Sequence, residues 1–374
     1  MAKTKTKNAT PILFYLLANA LILLTLVYAG VLESRFEDLY FISIQEDEYM
    51  EWATVWAFLL GSVAAFNAAK KYREANGGFP WYFYGLGIFC FLVAMEEFSW
   101  GQRVFGYRPP AYFLENNFQQ ELNIHNVIDT GFRKLVLTLA IVGYGIVLPL
   151  LGAFGATRKL LKSMGIVAAS AWLIPSFLAT YLLYDIYPWG HSGEWVELMY
   201  GSSILFSLLP MIQPAAGTAA STARALPLWL LSAWALTIVL GLVCGAASRV
   251  QRDVHPATLQ AAKDEVEAIR RDFESGRVNT NCNLHKRLYT FVVQYEETGL
   301  LNGEFSQLQS QGLPEERANY LIDPWNSPYW IRDRCDRQSG KRYVFVYSFG
   351  PDRNRDSTET EIGGDDVGAY IRLR

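Results

Sequence analysis

Long apolar runs separated by short charged connections dominate the chain as far as Ser248, and shorter periodic stretches follow. Seven runs stand out: Pro11–Leu32, Trp52–Ala69, Trp81–Met95, Leu135–Phe154, Met164–Tyr187, Val196–Ile212 and Leu226–Ala247. A hydrocarbon core of ~30 Å calls for about 20 apolar residues in a helix, which most of these runs supply. The third and sixth are short, and each extends into a polar motif at one end. Beyond the last run, Leu259, Ala262, Val266, Ile269 and Phe273 recur at three- and four-residue intervals among charged residues, the pattern of an amphipathic helix. Gly276 and the cluster Asn279–Asn283 mark its end. A second helix is predicted from His285 to about Thr298, with Leu288, Phe291, Val292 and Tyr295 on one face. Alternation around Tyr343, Phe345 and Tyr347 predicts a strand over Arg342–Tyr347, with Tyr370–Leu373 as its partner.

These elements predict an α-helical polytopic membrane protein of about seven transmembrane helices with a C-terminal α+β domain. Residues 1–213 form a six-span body and 214–225 an Ala/Thr/Ser-rich linker. Residues 226–275 form a seventh span with an amphipathic extension, and 276–374 a globular domain. Lys3, Lys5 and Lys7, then Lys70, Lys71 and Arg73, then Arg158, Lys159 and Lys162 fall on one side of the seven-span count, and the acidic stretch Glu33–Glu51 falls on the other. Basic loops face the cytoplasm. The expected setting is therefore a bacterial inner membrane, with the N-terminus cytoplasmic, the C-terminal domain extracytoplasmic and the bilayer as partner. Arg133 and Lys134 depart from this pattern and either snorkel or pair with Asp129. The first run lacks a small-residue cleavage site, so no signal peptide is expected. A net charge of −3 without a basic stripe excludes nucleic-acid binding. No Walker loop, dinucleotide glycine pattern or GxSxG elbow is present.

Three segments near the C-terminus carry a signature: Asp323-Pro-Trp-Asn-Ser-Pro-Tyr329, Tyr347-Ser-Phe-Gly-Pro-Asp352 and Gly363-Gly-Asp-Asp366. Together they resemble the globular part of the major pseudopilins of type II secretion, over roughly the last third of the chain. The resemblance implies a long helix followed by a small antiparallel sheet, and pilin-like or secreted proteins as partners. It also implies a calcium ion held by the loop after the aromatic strand. Asp352 matches the loop aspartate and Asp365 or Asp366 the late one, with Asp356 and Ser357 as further oxygen donors of the kind calcium takes. Arg353 and Arg355 stand where the family has small residues, and offer internal salt bridges as the alternative to a cation. The span Leu226–Ala247 contains no glutamate and no processing site precedes it, so the module is not expected to be cut free and polymerised. Cys282 and Cys335 would lie in an oxidising compartment, where a disulfide between them is expected.

Within the body, polar motifs gather on the side opposite the basic loops. They are Glu46-Asp-Glu48 with Glu51-Trp52, then Glu96-Glu-Phe-Ser-Trp-Gly-Gln-Arg103. Asn117, Gln119, Glu121, Asn123, His125 and Asn126 follow, and then His191-Ser-Gly-Glu194 with Glu197. The wording EDxxxEW, EExSWGQR and NxHN resembles an uncharacterised group of bacterial multi-pass membrane proteins that brings no activity with it. Ionisable groups at membrane depth cost ~2.5–3.5 kcal/mol each, so they face a protein interior or a wet cavity. Two readings remain open. Glu96, Glu97, Arg103, Glu121 and His125 are candidate catalytic groups, with Glu51, Gln102, Asn123, Asn126, His191 and Glu194 lining a substrate site. Carboxylates with histidine can hold zinc or a transition metal that activates water, giving a hydrolase or a lipid- or envelope-modifying enzyme. The alternative is that the same residues form a buried hydrogen-bond network in a non-enzymatic, secretion-associated envelope protein. The topology has a direct test: a reporter fused after Arg374 is expected to be active only if it functions outside the cytoplasm, and cytoplasmic activity overturns the orientation.

Overall fold

The computed structural model describes residues 12–117, 119–212, 219–250, 253–275, 284–297, 315–335, 340, 342–358 and 360–372. The fold is mostly helical and divides into two compact units. Residues 1–98 and 128–246 form the first, and 99–127 together with 247–374 form the second. The segment 99–127, read with the helical body from the sequence, thus packs within the same unit as the C-terminal domain.

The helical unit contains α1 (Ile12–Arg35), α2 (Tyr49–Asn76), α3 (Trp81–Glu97) and α4 (Thr130–Ala153, π-helical over Leu139–Val147). A short α5 (Gly155–Ser163) leads to α6 (Ile174–Ile186), α7 (Ser192–Leu208) and α8 (Ala219–Ser248). Four helices among the described residues are long and apolar enough to cross a membrane: α1, α2, α4 and Ala225–Ser248 of α8. The other three predicted spans form shorter helices. Helix α3 stops after 17 residues because Ser99 and Trp100 adopt left-handed backbone angles. The run Met164–Tyr187 becomes helical only from Ala171, after a left-handed turn at Gly165 and irregular backbone to Ser170, which accepts the Trp172 N–H.

Helix α7, 17 residues long, is buried around most of its circumference. A helix apolar on every side belongs in an interior, and α1, α2 and α6 pack on it. At Gly201 the approach of α2 is so close that a Cβ would lie 2.9 Å from the Phe58 ring. Small residues let apolar helices approach, and side-chain hydrogen bonds fix their register. Ser62 on α2 donates to the Gly87 carbonyl on α3 at 2.8 Å, and Asn19 on α1 accepts from the Ser176 hydroxyl on α6 at 2.6 Å. Asp129 caps α4 by accepting the Phe132 N–H at 3.0 Å.

The second unit is built on α9 (Pro256–Ser275), α10 (Leu288–Glu297) and a sheet of β1 (Leu284–Arg287), β2 (Trp330–Cys335), β3 (Arg342–Ser348) and β4 (Val367–Tyr370). The strands run antiparallel in the order β1-β2-β3-β4. Ala262, Val266, Ile269 and Phe273 of α9 are buried against Phe291 of α10 and Ile331, Val344, Val346 and Val367 of the sheet, as their spacing predicts. His285–Arg287, predicted as helix, is instead strand. Its alternation puts His285 and Arg287 opposite Arg332 and Trp330 of β2. The partner of β3 is Val367–Tyr370 rather than Tyr370–Leu373, with Phe345 opposite Tyr370.

The Asp323–Tyr329 turn is held by one buried carboxylate. Asp323 accepts the backbone N–H groups of Trp325 (2.9 Å) and Ser327 (2.8 Å) and the Ser348 hydroxyl at the end of β3. Burial pushes its carboxyl up to about 7, against these donors. An unfolded aspartate titrates near ~3.9, so the native state holds the extra proton in between. The contribution to stability is complete below that lower value and is lost as pH rises through about 7. Thermal unfolding of the detergent-purified chain should therefore show midpoints that fall across this window. Asp323→Asn should make the slope shallower; an unchanged slope refutes the assignment.

Candidate functional site

In the second unit the residues after α3 form a buried polar knot. Glu121, 5% exposed, accepts from the Ser99 hydroxyl (3.1 Å) and the Asn123 amide (3.1 Å) through the same carboxylate oxygen. Asn117 donates to the Glu121 carbonyl (2.6 Å) and the Asn123 side-chain oxygen (2.8 Å). Gln102 accepts the Leu122 N–H at 2.7 Å, and Asn126 donates to Gln119. The other Glu121 oxygen lies 4.0 Å from the Arg287 guanidinium of β1, itself 2% exposed. Arg287 in turn stacks over Trp330 at 4.3 Å. This is the arrangement a buried charge requires: a counter-charge, and donors for its lone pairs. Residues 117–129 contain no helix among those described, so Glu121 and His125, four apart in sequence, do not share a helix face. His125 is half-buried in the same segment. The Arg103 backbone is helical, but its side chain lies outside the described residues.

Around Arg287 the second face of the sheet is aromatic and cationic. His285 stacks on Trp330 with ring centroids 4.7 Å apart and contacts the Tyr347 hydroxyl at 3.0 Å. Arg355 approaches the same imidazole at 3.3 Å, and burial pulls its guanidinium down to about 10.

The remaining candidates belong to the helical unit. Glu97, at the end of α3, shares a hydrogen bond with Glu197 of α7, with Glu194 and Glu51 as charged neighbours. Glu51 also accepts the Asp47 N–H at the start of α2. Glu96 is half-buried in the last turn of α3, and exposed His191 holds a left-handed backbone (φ 57°) at the N-terminus of α7. The candidates are thus distributed over the two units: Glu51, Glu96, Glu97, His191 and Glu194 in one, Gln102, Arg103, Glu121, Asn123, His125 and Asn126 in the other.

The tightest carboxylate group lies in the loop after β3. Ligand oxygens of Asp352, Asp356 and Asp365 all fall within 4.8 Å of one another. Twice a calcium–oxygen bond of 2.3–2.6 Å spans about that distance. Two glycines make the convergence possible. At Gly364 (φ +58°) a Cβ would lie 1.9 Å from an Asp356 carboxylate oxygen, and at Gly350 (φ +70°) 2.3 Å from the Asp365 carbonyl. Burial pushes the Asp352 carboxyl up to about 7, with Asp365 and Asp356 adding to the effect. Asp366 is turned elsewhere and accepts the Ser357 N–H at 2.7 Å. Arg249 pairs with Asp356 at 3.3 Å. Arg355 is directed at His285, and Arg353 lies against Gly106, whose Cβ position is 2.9 Å from its guanidinium.

Cys90 and Cys244 are free thiols, and Cys335 is disulfide-bonded. Cys282, expected as its partner, lies outside the described residues. No known family model, curated protein or solved structure matches the chain.

Arg287 and Ser99 are the site residues that sequence reasoning missed. Ser99 stands within the Glu96–Arg103 motif without having been singled out, and the visible signal for Arg287 is its alternation with His285, which indicates a strand with a polar face. Removing the carboxylate from the knot has a defined expectation. Glu121→Ala leaves Arg287 buried without this counter-charge and should destabilise the second unit by about 3 kcal/mol, whereas Glu121→Gln, which keeps an acceptor for Ser99, should cost less. Chemical unfolding of the full chain measures both, and equal, small effects would mean the knot is not structural.

Proposed function

We propose that the protein is a non-enzymatic envelope component: a helical membrane body carrying a cation-stabilised, pseudopilin-like head that docks pilin-like or exported partners outside the cytoplasm. The observation that carries this reading is the Asp352–Asp356–Asp365 convergence. Among the described residues it is the group of three or more metal-ligating side chains that closes to ligand spacing. Three carboxylates at that separation repel one another; Arg249 pairs with Asp356 and acts on Asp352 as well, and a divalent cation would bind all three oxygens at once. Ordering this loop orders the end of β3 and the start of β4, since Ser348 and Val367 pair across it. A cation would thereby hold the surface on which a partner docks.

The Glu121 set supports the same reading. Its oxygens are committed to Ser99, Asn123 and Arg287, an arrangement suited to holding the segment 99–127 rather than to activating water. A second reading rests on the clustering of Glu97 with Glu197, Glu194 and Glu51, a group of carboxylates that suits a proton-exchanging or ligand-binding site in the body.

Calcium binding is tested by thermal unfolding of the full chain in calcium against chelator. Saturation at about 100 times the dissociation constant adds ~2.7 kcal/mol to the stability of a protein that binds only when folded. The wild type should gain a higher midpoint, and Asp352→Asn should lose the gain while keeping the oxygen that accepts the Asn354 N–H at 2.8 Å. Identical midpoints for the wild type with and without calcium overturn the cation-stabilised head.

A further inference from the structure

Between Thr130 and Tyr184 the chain carries Arg133, Lys134, Arg158, Lys159 and Lys162 and not one Asp or Glu. The last three bases lie on α5, a nine-residue amphipathic helix that begins where extended backbone at Phe154 ends α4. The left-handed turn at Gly165 then sends the chain back along α4 as irregular backbone through Ser170. The hairpin frames a half-open cavity of about 330 Å³. Its walls are apolar, from Pro149 and Gly152 of α4, Leu161 of α5 and Ile166 and Val167 of the returning segment, and its charged lining is Arg158 and Lys162. Around it, Phe154 (65%), Leu160 (60%) and Met164 (51%) are exposed.

We propose that this cavity binds one anionic glycerophospholipid. The lining divides as such a molecule does: an apolar wall for acyl carbon and two bases for the phosphate. A cavity of this size lies within the ~300–1,000 Å³ range of small-ligand sites. Arg158 is pre-positioned, because its Nε and Nη2 donate to the carbonyls of Gly152 and Ala153 at 2.7 Å each, which closes the C-terminus of α4 and fixes the guanidinium beside the cavity. Lys162 sits in the last turn of α5, and no carboxylate pairs with it among the described residues. The surroundings are those of a membrane boundary. Trp81, at the start of α3, donates its indole N–H to the Met164 carbonyl at 2.8 Å, and tryptophans of that kind mark the headgroup level. A free phosphate would use the two bases and leave the apolar wall without a purpose; a zwitterionic lipid would use the wall and gain little from the bases. This inference is independent of the cation site in the head.

Lys159 provides an internal control, since it stands on the same helix with the same charge but does not line the cavity. Native mass spectrometry of the detergent-purified full chain, titrated with phosphatidylglycerol, reads binding directly. The expected result is one lipid bound, with Lys162→Gln weakening binding about fivefold, the effect of one basic side chain near an anionic headgroup, and Lys159→Gln leaving it unchanged. Equal losses in the two variants would reduce the site to diffuse attraction and overturn the proposal. Equal binding of phosphatidylcholine, or displacement of the lipid by inorganic phosphate, would overturn it as well.

Discussion

Helix α7 offers no polar face to water, so the helical unit is organised by the need to surround it. Its residues from Trp195 to Leu208 are almost continuously buried, and the smaller ones set how closely neighbours approach. Gly201 admits the Phe58 ring of α2, and Ser207 meets the Tyr144 hydroxyl of α4 at 2.6 Å. Once α7 is central, the longer helices α1, α4 and α8 are left with many exposed apolar side chains, among them Leu24, Leu139 and Val243. That exposure is unfavourable in water and suits lipid. A 17-residue helix at the centre and 24-residue helices around it are two consequences of one packing constraint.

In the second unit the corresponding constraint is a buried charge. A four-stranded sheet with α9 and α10 on one face has a second face to cover, and here that face carries His285, Arg287, Arg332 and Trp330. Arg287 and Arg332 are almost fully buried, at 2% and 3% exposure. Glu121 with its Ser99 and Asn123 partners answers Arg287, and the Thr358 carbonyl answers Arg332 at 3.0 Å. A residue 166 positions away in sequence therefore becomes part of the C-terminal unit. Glu121, one of the groups that reads as catalytic in the sequence, stands in the fold as the counter-charge of a buried arginine.

Carboxylates serve three distinct purposes in this chain, and their surroundings separate them. Asp323 is fully buried and hydrogen-bonded to two backbone amides and a hydroxyl, which organises a turn. Glu121 is a counter-charge. Asp352, Asp356 and Asp365 are brought together by glycines at the two ends of their loop, where any side chain would collide with the acidic residues opposite. The two left-handed glycines, Gly350 and Gly364, are what allow these three side chains to converge.

What could be read from the sequence alone was whatever depends on local periodicity. Apolar runs predicted helices, and the three- and four-residue spacing of Ala262, Val266, Ile269 and Phe273 predicted their buried face, because a helix places such positions side by side whatever surrounds it. The Asp-rich loop was visible through its resemblance to the pseudopilin loop, and Asp352, Asp356 and Asp365 lie within 13 positions of one another. Length thresholds were less legible: α3 and α6 are cut short by left-handed backbone at Ser99, Trp100 and Gly165, and hydropathy carries no record of backbone angle. The partition of the polar motifs was not legible at all. Glu97 and Ser99 are two residues apart, yet one joins Glu197 of α7 and the other joins Glu121. Which partner each acquires is decided by long-range packing, because a buried polar group is satisfied by whatever the fold brings to it, and one-dimensional order does not contain that information.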